Sequence, residues 1–394
     1  MRETIVGLLI VCAVYSCSNN VGGDEFGKDM NGSEIIDLSS AISTEEIIID
    51  DIIDSIKIIQ LDSNIMVGEI IQLIITDSNI YILDNYSNGS VVIFDNKGKL
   101  IKRISIGRGP GETNHVERIV YDEKDETLLV YQTYCISKYT KKGMYIRKYD
   151  MDILLTDFYP LEKGYLIAQI EGEFNTLDET TDKDHTLAIT KLDSAFSICS
   201  EPNLCAKKVY SYSNSNHPFF ISSTDDILIA RPLDHYIYNY RNDSILVKYV
   251  LNLGKYSVDE REIATQKSYR KQRKNPYKYL FTGCFKATSN YQYIQVSNAE
   301  NFVHIFRNIK NGSIRSGNTM TQRNSHITRW TNQILCTYND FFVSTTSKEW
   351  LPTEESEFNK ILNNPLTSPN DKVKIQNLKF EDNPLIVLYS LKDI

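Results

Sequence analysis

The sequence contains few of the residues that are typical of helical or disordered proteins. It has 10 prolines in 394 residues and little alanine, whereas tyrosine (25) and phenylalanine (15) are abundant and isoleucine recurs throughout. β-Branched and aromatic side chains favour half-buried strands over helices and disordered segments. The composition therefore predicts a chain built mostly of β-strands, although length alone allows either one long repeat array or several ordinary domains.

The sequence also lacks an excess of positive charge. Its 43 Lys and Arg residues are outnumbered by 51 Asp and Glu residues, which gives a formal net charge of -8. Because nucleic acids bind basic surfaces, we do not expect a mildly acidic protein to have a nucleic-acid partner.

Familiar motifs of catalysis, metal binding and cofactor binding are missing as well. The six histidines share no HxxH or HExxH spacing, no GxSxG motif occurs, and the seven cysteines form no CxxC. We therefore expect no metal ion and no cofactor. Cys199 and Cys205 are close enough in sequence to form a disulfide in an oxidising compartment, but most of the cysteines are expected to be small core residues.

The first residues predict export and a lipid anchor. The apolar run Ile5–Ser16, twelve residues long, is too short to span a bilayer and has the length of a signal-peptide core. It leads into Val14-Tyr15-Ser16-Cys17, which resembles a bacterial lipobox, so residues 1–16 are predicted to be a signal peptide and Cys17 the lipidated residue. An ordinary secretory signal followed by a chance cysteine is the alternative. If Cys17 is lipidated, residues 17–44 form a flexible tether to the membrane.

One strand-rich unit recurs along the rest of the chain. Residues 66–104 contain four short strand-like segments separated by turns, one of which includes Asp95-Asn96-Lys97-Gly98. Phe94–Gly98 is matched by Tyr139–Gly143 forty-five positions later, and weaker copies follow to the C terminus. A four-stranded sheet buries both faces only between flanking sheets, so residues 45–394 are predicted to form an all-β, six-bladed β-propeller of four-stranded antiparallel blades.

Three segments outside the repeats complete this prediction. A strand near Ile47–Ile59 is expected to pair into the last blade, because a closed ring leaves no open sheet edge. Tyr256–Lys278 begins with a capping-box sequence, and Glu354–Leu362 follows a proline. Both are predicted to be helical insertions on one rim of the ring.

Two groups of residues are candidates for ligand binding. Arg108 and Glu112 lie in the glycine-rich segment GRGPGE, where an arginine fork could hold a carboxylate or a phosphate. In the alternative interpretation, Arg108 pairs with Glu112 or with a backbone carbonyl. Arg231, His235 and Tyr236 lie in the turn RPLDHY of the fourth unit and could line a binding funnel, although a plain turn is the simpler interpretation.

A family resemblance supports this organisation. The lipobox, the segment FDNKGKLIKRISIGRGPGE (94–112), the repeated aspartate-turn hairpins and NPLIVLYSLK (383–392) together resemble the six-bladed β-propeller lipoproteins related to the NHL-repeat class of Gram-negative anaerobes. The resemblance implies a six-bladed fold and a location in the cell envelope, with the outer membrane expected. It implies no established reaction.

The sequence therefore favours a lipid-anchored binding or scaffolding module for a peptide, a glycan or another envelope protein. The alternative is a propeller enzyme, a lyase or a hydrolase, with its site on the axial face. Such an enzyme would need His and carboxylate side chains from several blades to meet near the axis, and His115, His235 and His304 are the histidines to examine.

Overall fold

The structure is a computed structural model that describes residues 32–42, 46–84, 89–151, 153–171, 186–199, 204–207, 218–222, 226–259, 262, 271–321 and 334–394. Six antiparallel sheets of four strands each form the blades of a ring, which confirms the predicted six-bladed propeller. Cys17 and the predicted signal peptide lie outside the described residues, as do residues 260, 261 and 263–270 of the predicted helix Tyr256–Lys278.

The strands are numbered in chain order. Three precede the first complete blade: β1 (Glu34–Asp37), β2 (Glu46–Ile48) and β3 (Ile53–Gln60). Blade 1 consists of β4 (Ile70–Ile75), β5 (Asn79–Asp84), β6 (Ser90–Asp95) and β7 (Leu100–Arg103). Blade 2 consists of β8 (Arg118–Asp122), β9 (Thr127–Gln132), β10 (Cys135–Thr140) and β11 (Tyr145–Asp150). Blade 3 consists of β12 (Leu155–Pro160), β13 (Tyr165–Glu171), β14 (Thr186–Leu192) and β15 (Leu204–Lys207).

The remaining blades follow in the same order. Blade 4 consists of β16 (Phe220–Ser222), β17 (Ile227–Ala230), β18 (Tyr236–Arg241) and β19 (Ser244–Asn252). Blade 5 consists of β20 (Leu280–Ala287), β21 (Tyr291–Ser297), β22 (Phe302–Asn308) and β23 (Ile314–Gly317). After β24 (Thr319–Thr321), blade 6 is formed by β25 (Cys336–Tyr338), β26 (Phe341–Thr346), β27 (Leu385–Leu391) and the early strand β3.

The turns within the blades follow from local sequence. In blade 1 the Asp95 carboxylate accepts hydrogen bonds from the backbone N–H groups of Lys97 and Lys99, both at 2.9 Å. Gly98 has a φ of +87°, and a Cβ atom there would lie 2.0 Å from the carbonyl oxygen of Gln60. Only glycine fits a left-handed backbone with so close a neighbour, which confirms the predicted turn.

The first strand of each blade lies next to the ring axis. These inner strands are β4, β8, β12, β16, β20 and β25; each contacts the inner strand of the next blade, and β25 contacts β4. The Gln72 side chain of β4 also binds the exposed edge of β8, because Nε2 donates to the Ile119 carbonyl at 2.7 Å and Oε1 accepts from the Ile119 N–H at 2.9 Å. Side chains thus satisfy backbone groups that an inner edge would leave unpaired.

Strand β3 closes the ring as predicted. It pairs antiparallel with β27, from Leu385 opposite Gln60 to Leu391 opposite Ile53. The hydroxyl groups of Ser55 and Ser390 lie 2.7 Å apart across this pair. Blade 6 therefore contains strands from both ends of the described chain.

The chain before β3 follows the outer surface of two blades. Strand β1 pairs parallel with β19 of blade 4, and β2 pairs parallel with β24 beside blade 5. Ile36 and Leu38 are buried in the core between these blades. Residues 34–38, which the sequence assigned to the tether, therefore pack on these blades.

Two helices lie between β26 and β27 and pack on blade 6. Helix α1 (Glu355–Leu362) confirms the predicted helix, whereas α2 (Pro369–Asn377) was not predicted. At the start of α2 the Ser368 hydroxyl accepts a hydrogen bond from the Asp371 N–H at 3.2 Å, and a proline occupies the first turn. A Ser-Pro-x-Asp sequence is a helix-start signal, so this helix could have been predicted.

Candidate functional site

The topology assigns each connection to one of two faces of the ring. Successive strands of a blade are antiparallel, so the turns that follow the first and third strands share one face. We call this face the turn rim, and residues 76–78, 123–126 and 161–164 belong to it. The opposite face, the loop rim, carries the connections between blades and those between second and third strands, such as residues 104–117 and 231–235.

Arg108 and Glu112 lie on the loop rim, between blades 1 and 2. The Glu112 carboxylate accepts a hydrogen bond from the Gly109 N–H at 2.8 Å and so closes its own loop. Arg108 is exposed, and among the described residues no ion pair joins it to Glu112. The segment is an ordered turn, as expected, and ligand binding by Arg108 stays a prediction.

Arg231 and its neighbours also lie on the loop rim, between β17 and β18. The Arg231 guanidinium donates to Asp234 through Nε at 2.8 Å and to the Tyr238 hydroxyl at 3.0 Å. His235 Nε2 lies 3.3 Å from the carbonyl oxygen of Val258, and the ring of Tyr236 packs beside that of Tyr238. These contacts hold the turn together, and a binding role for Arg231, His235 and Tyr236 stays a prediction.

The three histidines named for the enzyme alternative lie in different parts of the ring. His115 is exposed on the loop rim, His235 is in blade 4, and His304 is buried in β22, where Nδ1 lies 2.7 Å from the Tyr293 hydroxyl. No hydrogen bond in the described part of the chain joins any two of them. Within those same ranges, no group of three or more His, Cys, Asp or Glu side chains is placed to hold a metal ion.

The burial of His304 predicts an acid-sensitive contribution to stability. Burial lowers the pKa of His304 from 6.5 to about 4, so the unfolded chain takes up this proton at a higher pH than the folded protein. The free energy of unfolding should therefore fall by about 3 kcal/mol in total as the pH drops from about 6.5, and it should level off below about pH 4. Urea unfolding of the wild type and of His304→Gln at pH 7.5 and pH 4.0 measures this loss.

The comparison between the two proteins isolates the histidine, because the carboxylates titrate in both. The wild type is expected to lose about 3 kcal/mol more than His304→Gln over this interval. An equal loss in both proteins would show that His304 is not the group responsible.

A cavity of about 420 Å³ lies on the axis of the ring. Every blade contributes residues to its lining. One residue from each of blades 1 to 6, in that order, is Gln72, Tyr121, Asp157, Phe220, Lys286 and Thr337. The lining continues into the turns after β4, β8 and β12, so the cavity extends to the turn rim. Its volume falls within the range of about 300–1,000 Å³ that is usual for small-molecule sites.

Asp157 joins three inner strands beside this cavity. Its Oδ1 accepts from the Phe158 N–H at 2.9 Å, and its Oδ2 accepts from the N–H groups of Phe219 at 2.6 Å and Phe220 at 3.2 Å in blade 4. Arg118 of blade 2 places Nε 3.4 Å from Oδ1, at ion-pair distance. Only 3% of Asp157 is exposed, so both carboxylate oxygens are satisfied by the protein itself.

Lys286 of β20 is the buried cation of the cavity. Only 3% of the residue is exposed, and in the described part of the chain no hydrogen bond or ion pair joins its ammonium group to another residue. Burial lowers the pKa of Lys286, and the Arg118 charge lowers it further, whereas Asp157 raises it. A buried lysine without a protein partner is a candidate for contact with a ligand.

Sequence reasoning missed this axial group, although a signal was present. Arg118, Asp157 and Lys286 each stand among apolar residues in an inner strand, in RIVYD, LTDFYP and LFTGCFKA. A charged residue inside a buried strand requires a partner or a function. The candidates chosen from the sequence were instead turn residues, and the topology places them on the loop rim.

Comparison with known proteins agrees with the fold. A crystal structure of a Bacteroides fragilis protein described as exported matches with a TM-score of 0.69 and 12% identity, covering 91% of this chain and 100% of that one. Weaker matches are apo AztD from Citrobacter koseri, with a TM-score of 0.38, 9% identity and coverage of 70% and 68%, and a protein of unknown function from Bacteroides caccae, with a TM-score of 0.34, 8% identity and coverage of 68% and 82%.

The sequence comparisons define the family. No curated protein matches the chain significantly. The sequence model described as "Domain of unknown function (DUF4934)" matches residues 33–390, which include every blade. The chain therefore belongs to the DUF4934 family.

Proposed function

We propose that the protein is a lipid-anchored binding module of the cell envelope and that its ligand enters the axial cavity from the turn rim. The axial cavity carries the proposal, because inner strands from all six blades line it and it contains a buried lysine that forms no hydrogen bond or ion pair with any described residue. Its size suits a short peptide or the end of a glycan better than the surface of a folded protein.

The envelope location is supported by the sequence and by one structural match. The lipobox-like segment ends at Cys17, and acylation there would anchor the chain through lipid rather than through a helix. Among the described residues, no helix is both long and apolar enough to cross a membrane. The Bacteroides fragilis protein with the same fold is described as exported.

Retention of a ligand by the full chain tests the proposal. The protein, expressed with its own N terminus in a Gram-negative host, is collected with the membrane fraction, exposed to a periplasmic extract and washed, and the retained compounds are identified by mass spectrometry. Ser222 is exposed, lines the cavity and lies at the end of β16, so Ser222→Trp fills the cavity near the turn rim. We expect the wild type to retain a compound and Ser222→Trp to retain at least tenfold less.

Two controls separate the parts of the proposal. Ile146→Trp adds the same indole to the exposed outer strand of blade 2, where 45% of Ile146 is accessible, and should leave retention unchanged. Cys17→Ser removes the thiol that would be acylated and should move the binding protein to the soluble fraction. Equal retention by Ser222→Trp and the wild type, or retention of nothing by the wild type, would contradict binding in the cavity.

A further inference from the structure

A β-bulge determines the depth of Lys286 in the cavity. Strand β20 pairs with β21 with Leu280 opposite Ser297, but two extra residues between Phe281 and Phe285 leave Lys286 opposite Tyr293. Without the bulge Lys286 would face Tyr291, the first residue of β21 at the turn rim. Two residues of a strand span about 7 Å, so the bulge places Lys286 about 7 Å farther from the turn rim than an unbulged strand would.

The groups around Lys286 leave a positive charge uncompensated. Arg118 and Asp157 interact electrostatically with Lys286, as do the thiols of Cys284 and Cys336. Burial raises the pKa of Cys284 to about 11 and that of Cys336 to about 12, so both thiols stay neutral. Asp157 is the one anion in this group, and it already interacts with Arg118 and three backbone N–H groups. Three other carboxylates, those of Asp122, Glu123 and Glu162, line the cavity at the turn rim.

We infer that Lys286 forms a subsite for a carboxylate group of the ligand, and that the rest of the ligand packs on aromatic side chains of the cavity. A monoanion would pair with the Lys286 ammonium group, and burial of charge is tolerated only when the charge is paired. Phe158, Tyr159 and Phe220 line the same cavity, which favours an organic acid with an aromatic or otherwise apolar body.

This inference rests on the proposed function and deepens it. A bound carboxylate would favour the charged form of Lys286, which burial alone disfavours. It would also accept hydrogen bonds from the ammonium group, for which no acceptor is present among the residues that the structure describes. The inference therefore predicts both a preference for anions and a more stable unliganded protein when the lysine is removed.

Calorimetric titration of the full chain with benzoate and with benzamide, at constant ionic strength, tests the preference. The two probes have nearly the same shape and differ in charge, so the wild type should bind benzoate at least tenfold more tightly. Lys286→Met should reduce this ratio to about one, because the subsite then has lost its unpaired cation. Lys310→Met removes an exposed lysine on the turn rim and should keep the wild-type ratio.

A melting experiment without ligand guards against loss of folding. Lys286→Met should melt at a higher temperature than the wild type, because an apolar side chain of similar length replaces an unpaired buried cation. A lower melting temperature would assign Lys286 a structural role and overturn the inference. Equal binding of benzoate and benzamide by the wild type would also overturn it. Tighter binding of inorganic phosphate than of benzoate would overturn the carboxylate assignment in favour of a phosphoryl group.

The two proposals fail separately. If Ser222→Trp abolishes retention of a periplasmic compound while the wild type does not prefer benzoate, the cavity binds a ligand but the carboxylate assignment is wrong. If the wild type prefers benzoate while Ser222→Trp retains as much as the wild type, the subsite exists but the retained ligand lies elsewhere.

Discussion

Replacement of Asp157 by alanine is expected to destabilise the protein by about 3–5 kcal/mol. The carboxylate is 3% exposed and accepts hydrogen bonds from three backbone N–H groups in blades 3 and 4. Its removal leaves these donors unsatisfied and leaves Arg118 buried without its counter-ion, and each of these losses is costly on its own. Urea unfolding at pH 7.5, followed by fluorescence and circular dichroism, measures the loss.

The controls separate burial from charge. Asp150 has a side chain that is 84% exposed on the outer strand of blade 2, so Asp150→Ala should change the free energy of unfolding by less than about 0.5 kcal/mol. Adding Arg118→Met to Asp157→Ala should recover part of the loss, because the unpaired buried cation is then gone. A loss below about 1 kcal/mol for Asp157→Ala would contradict the assigned role.

A disulfide between positions 55 and 390 is expected to stabilise the ring by up to about 5 kcal/mol. The two serine hydroxyls lie 2.7 Å apart across the β3–β27 pair and are separated by 335 positions in the chain. A cross-link that closes so long a loop removes much of the conformational entropy of the unfolded chain. The melting temperature of oxidised Ser55→Cys/Ser390→Cys should therefore rise by several degrees above that of the same protein after reduction.

Two measurements guard this prediction. Faster migration of the unreduced double variant on a denaturing gel reports formation of the bond, and Ser55→Cys alone controls for the other cysteines, among which Cys199 has an exposed free thiol. If the disulfide forms and the melting temperature does not change, the pairing of β3 with β27 does not contribute to the stability of the closed ring.

The blades could be predicted from the sequence because their signals are local. The Asp95–Gly98 turn depends on a carboxylate that bonds its own backbone and on a glycine with positive φ, and both are visible in four residues. Ring closure by β3 could also be predicted, since an open edge would otherwise remain. By contrast, β1 has four residues, and its partner β19 is far away in sequence. No local signal indicates that pairing.

The axial site could not be assembled from the sequence for a related reason. Arg118, Asp157 and Lys286 lie in three blades, and only the ring brings these strands to one axis. The depth of Lys286 depends further on a bulge, whose length is set by pairing with β21 rather than by a motif. The topology determined that Asp157 and Lys286 line one cavity and that Arg118 pairs with Asp157.

The pairing of β3 with β27 also sets an order of events during biosynthesis. Strand β3 leaves the ribosome before every complete blade, yet its partner is the last strand of the described residues. Contacts between distant parts of a sequence form slowly, because the intervening loop must be closed first. Blades 1 to 5 can form in sequence while the apolar side chains of β3 have no partner strand, and the protein completes blade 6 only after β27 has been synthesised. A chain truncated before Leu385 would therefore lose two strands of blade 6, one of them already made.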